Sequence, residues 1–229
     1  MSDDTTLAAF RLADTALPVG TDSVSYGLEQ FIASDRVGDS DDLRALLSTY
    51  LTEQLGPGDL VALRVAHAAA SDDDSAGVVA ADQRLTAVTL SAEFRESAER
   101  TGERLLGLQR DLRSDDLLDE YADAIDAGAA AGNYPVVLGA IAGREGVPAR
   151  EAGLLACHEF VSALLGAAQR LMRLGSTAVQ RVLDDLRPVM IEAVEASAER
   201  ALAAMTPFAP LIEISSAAHE RADRRLFLS

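Results

Sequence analysis

Lysine is absent from this chain: all 20 of its basic residues are arginine. That excludes a Walker A phosphate loop, a Schiff-base lysine and a pyridoxal-phosphate attachment point. Tryptophan is also missing, and aromatic residues make up 4% of the chain against 48% hydrophobic. A core must therefore be assembled from Ala, Leu and Val, which suits closely packed helices better than sheets. The single cysteine, Cys157, permits no internal disulfide. With only His67, His158 and His219 beside it, a tetrahedral zinc site is short of nitrogen and sulfur ligands. No C-x-x-C, H-E-x-x-H, G-x-S-x-G or G-x-G-x-x-G pattern occurs. No run of 18 residues is free of charge, which argues against a membrane span, and the start, Met1-Ser-Asp-Asp, is acidic where a signal peptide is basic. The expectation is a cytoplasmic protein with no cofactor, no resident metal and no catalytic residues.

What is present in excess is acid. Asp and Glu number 37, giving a formal net charge of −17. Such a surface lacks the basic patch that phosphate contacts require, so neither nucleic acid nor an anionic membrane is an expected partner. The acids are spread along the whole chain, including Asp39-Ser-Asp-Asp42 and Asp72-Asp-Asp74. That distribution points to solubility in a salty cytoplasm, where repulsion is screened over a few ångströms, rather than to one acidic docking face.

At 229 residues the chain fits one sizeable domain. Its organising stretch runs from about 148 to 174. Pro148 can open a helix, and Leu154, Leu155, His158, Val161, Leu164, Leu165, Ala168, Leu171 and Met172 follow at mostly three- and four-residue spacings. Small residues fill much of the remaining surface, which predicts a central helix with neighbours on several faces. Gly175 is placed to stop it and Ser176 or Thr177 to cap the next helix. Elsewhere the spacing predicts helices over 4–14 (with Leu7, Phe10 and Leu12 inward), from the Asp39–Asp42 cap cluster through Leu43, Leu46, Leu47, Tyr50 and Leu51, over 77–91, 93–112 and 115–127, and over 177–186 and 188–204 with Pro188 at the joint. Gly56-Pro-Gly58 reads as a break, with Pro57 starting the following helix, and Gly128–Asn133 reads as a loop. Tyr134–Ala142 could be strand or helix by composition, and its helical neighbours favour helix. The predicted fold is an all-α, single-domain bundle of about ten helices around the segment 148–174, with residues 1–3 a flexible end and 222–229 a docking tail.

Cys157 and His158 are adjacent and point about 100° apart on a helix, so each reads as a core residue rather than half of a metal site. Arg170 and Arg173 read as partners for the last carbonyls of their helix. Asp115-Asp-Leu-Leu-Asp119 has the spacing of a Mg²⁺-binding motif in all-α enzymes that use prenyl diphosphates, a rival reading that lacks a second motif. The end, Arg225-Leu-Phe-Leu-Ser229, is apolar where chain ends are usually polar, which is consistent either with packing on its own domain or with docking on a partner.

Five short motifs then line up in order: Leu17-Pro-Val-Gly20 with Ser25-Tyr-Gly-Leu-Glu29; Pro135-Val-Val-Leu-Gly139; Arg170-Leu-Met-Arg-Leu-Gly175; Gln180-Arg-Val-Leu183; and Arg225-Leu-Phe-Leu-Ser229. Together they cover nearly the whole chain and resemble the urease accessory protein UreF family. The resemblance implies a non-catalytic, dimeric, all-α chaperone for nickel insertion. It would bind a second accessory protein, UreD (also called UreH), and the pair would recruit the GTPase UreG to apo-urease. By the same resemblance Arg225, Leu226, Phe227 and Ser229 would dock on UreD. Tyr26 and Glu29, with Arg170, Gly175 and Gln180, would shape the partner surface or the dimer. The absence of lysine and the acid load resemble those of proteins from salt-loving microbes.

Overall fold

The computed structural model describes residues 2–14, 17–18 and 26–212. Among the described residues the chain is helical throughout, without strands: α1 (Asp3–Leu12), α2 (Leu28–Ala33), α3 (Ser40–Thr49), α4 (Leu60–Ser71), α5 (Ser75–Val88), α6 (Ala92–Leu112), α7 (Asp116–Asp126), α8 (Tyr134–Arg144), α9 (Ala149–Met172), α10 (Ser176–Asp185) and α11 (Arg187–Ala198). This is the expected single all-α domain. Capping follows the sequence closely. The Ser2 hydroxyl accepts from Thr5 N, Asp39 from Asp41 N and Asp42 N, Asp74 from Gly77 N, Ser91 from Phe94 N and Asp115 from Leu118 N.

Gly56-Pro-Gly58 does not break the chain. Residues 50–59 form a π-helical stretch that joins α3 to α4 without interruption, so one continuous helix runs from 40 to 71. In an α-helix the Pro57 ring would clash with the carbonyl of Glu53. The wider turn relieves that clash, and Leu60 N reaches back five residues to Leu55 O. The backbone groups this leaves over are satisfied from outside. Glu53 O accepts from Phe208 N at 2.9 Å and Pro57 O from Thr206 N at 3.3 Å. A strap at residues 206–208 is thereby laid along the π-helical stretch.

Buried side chains form two cores. One gathers α1, α5, α7, α8, most of α4, the later part of α6 and the start of α9; the other gathers α2, α3, α10, α11, the start of α6 and the rest of α9. The helix 40–71, α6 and α9 all cross the seam, contributing Leu60 and Val61, Phe94 and Leu105, and Leu155 and Cys157, to the two sides. Helix α9 occupies nearly the predicted span and is long and apolar enough to cross a membrane by length and composition alone, yet its buried face packs inside the bundle. Its opposite side carries exposed His158, Gln169 and Arg170, so His158 is a surface residue and not the core residue expected, whereas Cys157 is buried. Helix α9 ends at Arg173 in the left-handed conformation (φ 56°), not at Gly175, which is extended and precedes α10. In α1 the buried residues are Ala8 and Leu12, while Leu7 and Phe10 face outward. The rotation is fixed by Arg11, which binds Gln109 at 2.9 Å and the buried Glu145 carboxylate at 3.1 Å.

Close backbone packing joins α4 to α8. Every residue from 135 to 142 is buried, and a Cβ added at Gly139 would lie 2.2 Å from Leu63 O, one at Gly143 2.6 Å from His67 O. Backbone meets backbone here, and neither side can give way. Gly139→Ala is expected to cost at least about 2–3 kcal/mol in a urea melt. Gly166→Ala on α9, with nothing within 4 Å of the new methyl, should stabilise by roughly 0.5–1 kcal/mol. Equal effects of the two would contradict the close approach.

Candidate functional site

A cleft of about 90 Å³ lies where the two cores meet. Its wall combines Gln54, Leu55 and Asp59 of the π-helical stretch, Leu60 and Leu63 of α4, Phe94 of α6, Tyr134 of α8, Glu159 and Phe160 of α9, Tyr26 and the strap residue Pro207. Four of the ten Tyr and Phe residues of the chain gather here, Tyr26, Phe94, Tyr134 and Phe160. The Tyr26 ring stands 5.5 Å from Phe94 and 4.8 Å from Phe160. Tyr26 itself is held at a left-handed φ of 46°, and its carbonyl accepts from the Tyr50 hydroxyl. A bulky side chain at positive φ is strained, so the surrounding packing must impose it.

The entrance to α8 is positioned by a buried carboxylate. Asp82 of α5 is fully buried and accepts from Ala131 N (2.5 Å), Gly132 N (2.9 Å), Asn133 N (2.9 Å) and Asn133 Nδ2 (2.8 Å). It pins the 131–133 loop and so places Tyr134, whose hydroxyl donates to Glu159 Oε2 at 2.5 Å.

Two acids in the cleft are unusual. Burial pushes the Asp59 carboxyl from its ordinary 3.8 up to about 7, and the Glu159 carboxyl from 4.5 up to about 7, partly offset at Glu159 by the Tyr134 hydrogen bond. Among the described residues neither forms an ion pair, while Glu145, Asp115 and Asp119 all do. Burial, helped by the negative charge of Asp59, also raises the Cys157 thiol to about 12, which fits an inert core thiol. Tyr26 and Tyr134 are pushed up by burial as well and hold their protons.

The residues expected at a partner surface fall in separate places. Tyr26 is in the cleft wall, and Glu29 is half-buried in the first turn of α2. Arg170, Gly175 and Gln180 are exposed around the α9–α10 turn, and ten residues along α9 separate Arg170 from the Tyr26 contact at Phe160, about 15 Å. Arg170 Nε donates to Gly166 O at 3.2 Å, within its own helix. Arg225, Leu226, Phe227, Ser229 and His219 lie outside the described residues. His67 is structural, its Nε2 donating to Val147 O at 2.7 Å. The Asp115–Asp119 pair is occupied structurally: Asp115 caps α7 and pairs with Arg144 at 2.7 Å, and Asp119 pairs with Arg110 at 2.6 Å. Among the described residues no group of three or more His, Cys, Asp or Glu side chains is arranged to hold a metal ion. Sequence reasoning missed Asp59 and Glu159. The available signal was that Glu159 is the lone acid between Glu151 and Asp184, within the most apolar helix-length segment.

The fold is that of an all-α protein whose two cores meet at a cleft lined by aromatic and acidic side chains. Residues 37–187 match the UreF family model. The chain is 32% identical to the urease accessory protein UreF of Paenarthrobacter aurescens over the full length of both. It is 30% identical to UreF 1 of Brucella melitensis, covering 97% of this chain and 92% of the relative, and 30% identical to UreF of Bacillus sp. strain TB-90, covering 97% and 98%. The chain therefore belongs to the UreF family of urease accessory proteins, and its role is accessory, not enzymatic.

The raised carboxyls make stability pH-dependent. Unfolded Asp59 and Glu159 lose their protons near their ordinary values while the native state keeps them to about 7, so this contribution favours the fold at low pH and is lost as pH rises from about 4 to 7. Asp59→Asn and Glu159→Gln should raise the melting temperature at pH 8 and leave it nearly unchanged at pH 4. Thermal melts at the two values test the sign.

Proposed function

We propose that this chain is a cytoplasmic adaptor in urease maturation, which binds UreD (UreH) and with it recruits the GTPase UreG, so that nickel reaches apo-urease. It works as a homodimer and performs no chemistry of its own. The observation that carries this reading is similarity to urease accessory proteins along 97–100% of the chain. In this reading nickel is cargo, and residues 225–229 dock on UreD, with Arg225, Leu226, Phe227 and Ser229 as contacts. Tyr26 and Glu29 shape one partner surface, and Arg170, Gly175 and Gln180 another at the α9–α10 turn. Two features of the described chain support a docking role for its C-terminal region: Phe208 and Leu211, 71% and 57% exposed, are large apolar side chains left outside the core on the segment that leads there. The net charge of −17 is adaptation to a salty cytoplasm in this reading.

Removing residues 225–229 should weaken co-elution with UreD in molar salt by at least tenfold while helical circular dichroism is retained. Loss of the helical signal would make the tail part of the core instead.

A further inference from the structure

We propose that the cleft between the two cores is a socket for an arginine side chain of a protein partner, its guanidinium set against Asp59 and Glu159 beside the rings of Tyr26 and Phe160. The partner in this inference is one of those named in the adaptor reading and rests on it.

The chemistry of the wall selects a cation. Its polar groups include two carboxylates without an ion-pair partner among the described residues, and Gln54, whose Oε1 is buried and accepts no hydrogen bond there. Each can accept a hydrogen bond: Glu159 already does so from Tyr134, whereas Gln54 Oε1 has no donor among the described residues, and a buried acceptor left unmatched in this way costs free energy until a donor arrives. A guanidinium carries donors on every edge of a plane and binds carboxylates in pairs, whereas an ammonium concentrates its donors at one point. Its faces are apolar and weakly hydrated, which suits aromatic walls such as Tyr26, Phe94 and Phe160.

The rim selects a protein rather than a free small cation. Leu90 adjoins the wall residue Thr89 and is 69% exposed; Phe208 adjoins Pro207 and is 71% exposed. Exposed apolar side chains next to a charged cleft suit a protein interface, where arginine is among the favoured anchors.

Arginine ethyl ester titrated into the full chain, followed by NMR of the aromatic protons, is expected to bind saturably. Norleucine ethyl ester, of similar length without the guanidinium, is not. The Asp59→Asn/Glu159→Gln double variant should lose at least tenfold in ester affinity and at least tenfold in affinity for the UreD–UreG assembly, with its urea midpoint no lower than that of the unsubstituted chain. Absent ester binding, or binding unchanged in the double variant, overturns the socket. Ester binding that appears only after deletion of residues 213–229 assigns the cleft to the chain's own arginines and overturns the partner assignment. So does an undiminished assembly, or a loss of self-association in its place. If the ester binds as described but the unsubstituted chain forms no assembly with UreD and UreG, the socket stands and the adaptor reading fails.

Discussion

The contact on which the other features depend is the one between α4 and α8, where Gly139 and Gly143 leave no side chain between two helical backbones. It draws α8 so far into the molecule that residues 135–142 are covered on all sides, a burial that an amphipathic helix does not require. With α8 fixed, its N-terminal entrance is fixed too, and Asp82 need only hold three amides to set Asn133 and Tyr134 in place. Tyr134 in turn reaches Glu159 across the seam. A backbone contact in one core thus determines the hydrogen bonding of an acid on the helix shared with the other.

Acid plays opposite parts outside and inside the molecule. Most of the 37 carboxylates are solvated, and salt screens them at small cost. Asp59 and Glu159 are withdrawn from water, and there desolvation outweighs the ordinary preference for the ionised form near neutral pH. Such groups are a stability cost borne in the absence of a compensating cation. Their retention beside an unmatched Gln54 acceptor is intelligible if the cleft is completed from outside.

Much of the fold was legible in the sequence because its signals are local. Caps at Asp39 and Asp115, the Pro188 joint and the span of α9 all follow from short-range chemistry. The misreadings are tertiary overrides. Pro57 looked like a break because only an outside strap could satisfy the backbone of a widened turn. Leu7 and Phe10 looked like the inner face of α1 until Arg11, bound to Glu145, fixed the helix rotation the other way. His158 looked buried by its neighbours' hydropathy, yet α9 keeps one side open to solvent. The cleft was nearly invisible, since Gln54, Asp59, Tyr134 and Glu159 are scattered over a hundred residues and acquire meaning only when three helices bring them to one seam. Family motifs pointed to Tyr26 alone among the cleft residues treated as site candidates.

The helix 40–71 and α9 run unbroken through the seam between the cores. In many proteins a cleft between two lobes opens by hinge bending, with a few loop residues absorbing the rotation on microsecond to millisecond timescales. With α6, which also has residues in both cores, these continuous helices act as struts against that motion. Access to this cleft must therefore come from rotamer changes at its rim and from lifting of the 206–208 strap, so that any gating is set by local side-chain and loop kinetics and not by domain closure.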